Sequence, residues 1–112
     1  MSVQVLNIIP RKQADTIQTG QYTALNCKTI IDKFTVTNTS ASNVTISINL
    51  IASGGIAGDN NLVLKNRTIA PNETYTCPEL VGQVLENGGT ISTIASASAS
   101  LTISASGREI TA

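Results

Sequence analysis

Histidine and tryptophan are missing from this chain of 112 residues, and each absence removes a class of chemistry. Without imidazole the chain lacks the commonest general base, the commonest metal ligand and both the Ser-His and Cys-His nucleophile pairs. Two cysteines, Cys27 and Cys77, cannot by themselves build a four-ligand zinc site. One Phe and two Tyr are too few to stack bases or to wall a sugar site with rings. Charge is scarce as well: Asp, Glu, Lys and Arg make up 12% of the chain, about half the usual share, with seven basic residues against seven acidic ones. No net field draws phosphate backbones or anionic lipid, so neither nucleic acid nor membrane is an expected partner. No segment reaches the roughly 18 consecutive apolar residues that a membrane span needs. The opening MSVQVLNIIPRK places its positive charges after the apolar stretch, the reverse of a secretory signal, so synthesis in a cytoplasm is expected. In that reducing compartment Cys27 and Cys77 read as two buried free thiols.

What replaces charge is hydroxyl and amide. Ser, Thr and Asn are abundant, and they generate four Asn-x-Ser/Thr triplets, at Asn38, Asn43, Asn66 and Asn72, which read as chance products of composition. The length suits one domain, residues 1–112, with a modest single core. In KFTVTNTSASNVTISINL, Phe34 and Val36 alternate with Thr35 and Thr37, and Val44, Ile46, Ile48 and Leu50 alternate with Thr45, Ser47 and Asn49. This predicts two half-buried strands joined as a hairpin through the polar cluster Asn38–Asn43. SGGIAGDNN, residues 53–61, reads as a loop, since no Gly-Lys-Ser/Thr follows to make a phosphate cradle. Further strands are expected at Leu62–Ile69, at Thr74–Cys77, and twice within Ile91–Ile110, with the Ala/Ser run 95–100 turning between them. Pro10 is expected to interrupt a strand begun by Val3, Val5 and Ile8, and Thr19-Gly20-Gln21 to form a turn. About seven to nine short strands at such spacing predict an all-β fold, a single antiparallel β-sandwich of immunoglobulin-like or jelly-roll type.

The segment APNETYTCPELVGQVLENGGTI, residues 70–91, places a thiol, Cys77, between two acids, Glu73 and Glu79. No Lys, Arg or His stands near Cys77 to stabilise a thiolate, so the cysteine reads as an apolar plug. Pro78 is expected to open one short helical turn near 78–85, placing Leu80, Val81, Val84 and Leu85 at helical spacing as a structural cap with Cys77. Asp32, Lys33, Arg108 and Glu109 read as solvated charges. No catalytic, cofactor-binding or metal-binding residue emerges, and the expectation is a protein that is not an enzyme and carries no cofactor.

The remaining signal is an apolar first segment. Val3, Val5, Leu6, Ile8 and Ile9 form a strip more hydrophobic than a free terminus normally keeps, and it adds a strand either to its own sheet or to a neighbour's. These five residues are the candidate subunit-interface arm, residues 1–9.

The succession of a VTNTS and VTI pair of strands, a glycine loop, ELVGQVL, a GTI strand and a closing SGREI resembles small β-sandwich virion structural proteins of tailed bacteriophages, over roughly residues 30–111. The resemblance implies many copies built into a particle after synthesis in the bacterial host cytoplasm. It points first to a capsid cement or decoration protein partnered with the major capsid protein. The alternatives are a neck, collar or tail accessory protein that binds other virion proteins, or a module that binds a host-surface receptor or glycan.

Overall fold

A computed structural model of the chain describes residues 1–111. Among these residues nine strands form two antiparallel sheets packed face to face: β1 (Ser2–Gln13), β2 (Thr19–Thr23), β3 (Lys28–Asn38), β4 (Val44–Ile51), β5 (Leu62–Ile69), β6 (Thr74–Tyr75), β7 (Val84–Leu85), β8 (Thr90–Ala95) and β9 (Leu101–Thr111). The only helical element among the described residues is one 3-10 turn at Asp59–Asn61, inside the glycine loop. One sheet has the order β1-β9-β3-β6, with β7 also on β3, and the other β2-β8-β4-β5.

The pairings nest. β4 pairs β5, β3 pairs β6 and β7, β2 pairs β8, and β1 pairs β9, as in one long antiparallel ribbon whose tip is the 52–61 loop. Rolling that ribbon brings β9 against β3 and β8 against β4, which closes the two sheets. This is the jelly-roll wind, so the sandwich expected from strand spacing is present and its topology is decided.

Alternation along each strand sends one face inward. Phe34, Ile46, Ile48, Ile69, Ile91 and Ile103 are fully buried between the sheets, and β-branched side chains suit the pleated surface they occupy.

Four local expectations are corrected. β3 and β4 are not a hairpin: they lie in different sheets, and Thr39–Asn43 is an arch between them. Asn38 makes the corner, donating from Nδ2 to Ser42 O and Ile69 O, both at 2.8 Å, and accepting at Oδ1 from Ser40 N at 2.9 Å and Ser40 Oγ at 2.8 Å. The run 96–100 is a second such arch, since β8 and β9 also lie in opposite sheets. β1 continues through Pro10, because an edge strand tolerates a residue with no N–H to donate. Thr19–Gln21 is strand, its irregularity taken up by a bulge between Gly20 and Tyr22.

The helical turn near 78–85 is absent. Leu80 N bonds Cys77 O at 3.0 Å and Gln83 N bonds Leu80 O at 3.2 Å, but Gly82 then takes a φ of 84° and Gly82 N bonds Ile31 O at 2.7 Å. Edge pairing with β3 captures the backbone that a helix would need. β6 and β7 are thus two halves of one strand along β3, and the loop between them leaves the sheet and returns.

Candidate interaction surface

The candidate arm divides between two environments. Ile8 and Ile9 are buried in the sandwich, Leu6 is half-buried, and Val3 and Val5 stand 50% and 77% exposed. The candidate cap divides in the same way. Cys77, Leu80 and Leu85 are buried, whereas Pro78, Val81 and Val84 face solvent. Extended backbone at 84–85 turns neighbouring side chains to opposite faces, so the helical reading that grouped Val84 with Leu85 does not survive.

Register brings the exposed members of the two groups together. Val5 lies opposite Arg108, Arg108 opposite Ile30, and Ile30 opposite Val84. In the neighbouring row Val3 lies opposite Ile110, and Ile110 opposite Lys28. Thr29, Ile31 and Leu85 are buried, so residues 28, 30 and 84 point outward, and the two rows run across the outer face of the sheet. Ile30, Arg108 and Ile110 were not singled out from sequence. The parity of Leu101, Ile103, Ala105 and Gly107, all buried, was the available signal that Arg108 and Ile110 face outward.

The charges in these rows are compensated locally. Arg108 donates from Nε to both Asp32 carboxylate oxygens at 3.1 Å and from Nη2 to Oδ1 at 2.9 Å. Lys28 Nζ lies 3.6 Å from Glu86 Oε1. What remains is a neutral apolar strip crossing four strands, with the stem of Arg108 between valine and isoleucine. Beside it a shallow cleft of about 660 Å³ is lined in part by Met1, Cys27 and Ile110.

Inward from the same strands lies a polar cluster. Tyr22 Oη donates to Glu109 Oε2 at 2.5 Å and lies 2.7 Å from Thr29 Oγ1, tying β2 of one sheet to β3 and β9 of the other. Burial first, and then the bond to Glu109, push the Tyr22 phenol above its ordinary range. Glu109 is therefore no free solvated charge; it is half-buried and accepts a hydrogen bond from the Tyr22 phenol.

The thiol and acids of segment 70–91 are occupied separately. Burial pushes the Cys77 thiol up to about 12, with the nearby Glu79 carboxylate adding to the rise, so the sulfur stays protonated. Glu73 Oε1 accepts from Ala70 N at 2.7 Å and closes its own turn. Tyr75 Oη lies 2.7 Å from both oxygens of Glu79, and this bond holds the Glu79 carboxyl below its usual range. Arg67 stacks over the Tyr75 ring at 4.1 Å. Cys27 and Cys77 are both free and buried. Among the described residues no three Cys, Asp or Glu side chains converge as a metal site would require.

The outer face of the other sheet carries amides. Gln18 Nε2 donates to Ser92 Oγ at 2.7 Å and to Asn49 Oδ1 at 3.3 Å, while Asn49 Nδ2 donates to Asn61 Oδ1 at 2.6 Å and Gly58 O at 3.0 Å. This network holds the 52–61 loop against β4 beside a small cleft of about 220 Å³.

Comparison of the chain with protein-family models, curated proteins and solved structures finds no match.

Proposed function

We propose that this chain is a non-enzymatic structural protein of a bacteriophage virion, a capsid cement or decoration protein that stabilises the coat lattice. The observation that carries the reading is the neutral apolar strip of Val5, Ile30 and Val84, with Val3 and Ile110 beside it, on an unpartnered sheet face. An apolar strip with exposed Val3, Val5 and Val84 and its charges already paired suits association with protein. The jelly roll is compatible, since viral capsid domains use it among many other proteins. The residue order that resembles small virion proteins supplies the class of particle. Its partners in this reading are the major capsid protein or other virion proteins, reached after synthesis in the host cytoplasm, and a neck, collar or tail post uses the same surface.

The test mixes purified protein with expanded capsids and tails of the phage that encodes it. A cement protein binds capsids in fixed ratio to coat subunits and raises their resistance to heat, and Val84→Asp, at an exposed position, abolishes binding while the circular dichroism spectrum is unchanged. Failure to bind either capsid or tail sinks the proposal. The amide-lined cleft of Gln18, Ser47, Asn49 and Asn66 favours a second reading as a host-surface binding module. Adsorption to host cells in place of particles would select it.

A further inference from the structure

The two sheets have four edges among the described residues, and three are blunted against pairing with another chain. β2 is five residues long and bulged, β5 carries exposed Lys65 and Arg67, and the β3 edge is covered by the broken pair β6 and β7. Short, charged or interrupted edges are the usual protections. β1 is different. It is twelve residues long, bonded to β9 on one side only, and its second half is protected by Pro10, Arg11 and Lys12. Its first half has no such device: Ser2, Val3, Gln4, Val5 and Leu6 pair with β9 in unbroken register and carry no charge, until the register shift between Leu6 and Ile9. The unprotected edge is therefore these five residues.

We propose that this edge is completed by the same edge of a second copy of the chain, the two β1 strands running antiparallel about a two-fold axis at Gln4. The inference stands whether or not the neighbouring sheet face meets a coat subunit.

The sequence of the edge is self-complementary in that register. Ser2 lies opposite Leu6 of the second copy, Val3 opposite Val5, and Gln4 opposite Gln4. Residues directly opposite in an antiparallel pair share a face, so two Val–Val pairs form on the outer surface, where β-branched cross-strand pairs are favourable. The two apolar strips then join through Val3 and Val5 into one. Gln4 meets Gln4 as neutral amides able to bond each other. Shifting the axis to Val5 loses this match, because Val3 would face Asn7 beyond the regular part of the edge. Charge agrees with the same occupant. The uncharged edge offers a charged peptide nothing to pair with, Arg108 beside it is already held by Asp32, and Arg11 and Lys12 extend past the paired segment. An edge identical on both partners closes after two copies, with no strand left over to continue a filament.

Sedimentation equilibrium of the full chain tests the proposal in the absence of any particle, so its failure is distinct from a failure to bind capsids. Wild type sediments as a dimer. Val3→Glu with Val5→Glu, both exposed and so free of a folding cost, weakens the dimer at least about tenfold with the circular dichroism spectrum unchanged. Gln4→Cys oxidises to a disulfide-linked dimer, because opposite Cα atoms in the pair lie about 4.5–5.5 Å apart. Ser2→Cys, opposite Leu6, does not. A monomeric wild type, a dimer indifferent to the two glutamates, or equal cross-linking of Gln4→Cys and Ser2→Cys each overturns it.

Discussion

Several single residues in this protein hold left-handed backbone conformations or shifted protonation states. Asn26, Asn66 and Asn72 adopt φ values of 56°, 48° and 64°, a left-handed backbone that asparagine tolerates better than most side chains. Asn38, one of the four sequon asparagines, is fully buried with all its polar valences engaged at a corner. Cys77 and Tyr22 lead to a pH prediction. Both have folded-state pKa values raised above their unfolded values, so the stability they contribute is complete below the unfolded values, about 9 for the thiol and 10 for the phenol, and is lost as pH rises beyond them. Urea midpoints measured upward from pH 8 are expected to fall, with each group adding about 1.4 kcal/mol per pH unit while only the unfolded chain is ionised. Tyr22→Phe and Cys77→Val each flatten that fall, and a slope unchanged by both would refute the assignment. The partners at this scale were not legible, since Tyr22 and Glu109 stand 87 positions apart and nothing local marks Glu109 as bonded.

The strands themselves were largely legible, because a period of two in Val, Ile and Thr belongs to a half-buried pleated strand whatever surrounds it. Leu62–Ile69 appears at the residues expected. The connections were not legible to the same degree. A polar cluster between two alternating runs fits a hairpin and an arch equally, and Asn38 selects the arch through its bond to Ile69 at the end of β5, a strand distant in sequence. The helical spacing of Leu80, Val81, Val84 and Leu85 lost for a similar reason, as β3 offered edge bonds to Gly82 and Gln83. One element contact is unusually close. A Cβ at Gly107 would stand 2.5 Å from Ile30 O and 3.3 Å from Ile8 Cδ1, where β9 runs between β3 and β1 beside their register shifts. Gly107→Ala is expected to cost about 2–3 kcal/mol, read as a lowered urea midpoint, because backbone and not a mobile side chain must move. A midpoint equal to wild type would mean that the bulges absorb the methyl group.

At the scale of the whole molecule the nested ribbon sets the folding problem. The tip pairs β4 with β5 across the 52–61 loop, while the outermost pair joins Ser2 to Thr111. Loop closure must precede every outer pairing, so refolding is expected on the order of milliseconds to seconds, within the slow range of all-β domains. Conservative truncations at Ile46 or Leu64 should slow refolding, and truncations at Ile9 or Ile103 should mainly accelerate unfolding. Stopped-flow chevrons measure both, and a reversal of that order would place the nucleus at the chain ends.

The amino-acid sequence by itself determined the all-β class, a count of seven to nine strands with the approximate places of most of them, the neutral hydroxyl-rich surface and the lack of imidazole chemistry. These follow from composition and from a period that each strand expresses alone. Tertiary structure decided the jelly-roll wind, the splitting of the first segment into buried Ile8 and Ile9 and exposed Val3 and Val5, and the meeting of Val5 with Val84 in one row. The physical reason is that sheet pairing is non-local. A strand's pattern states which side is apolar, while its neighbours are chosen by how all the strands together cover their faces and edges.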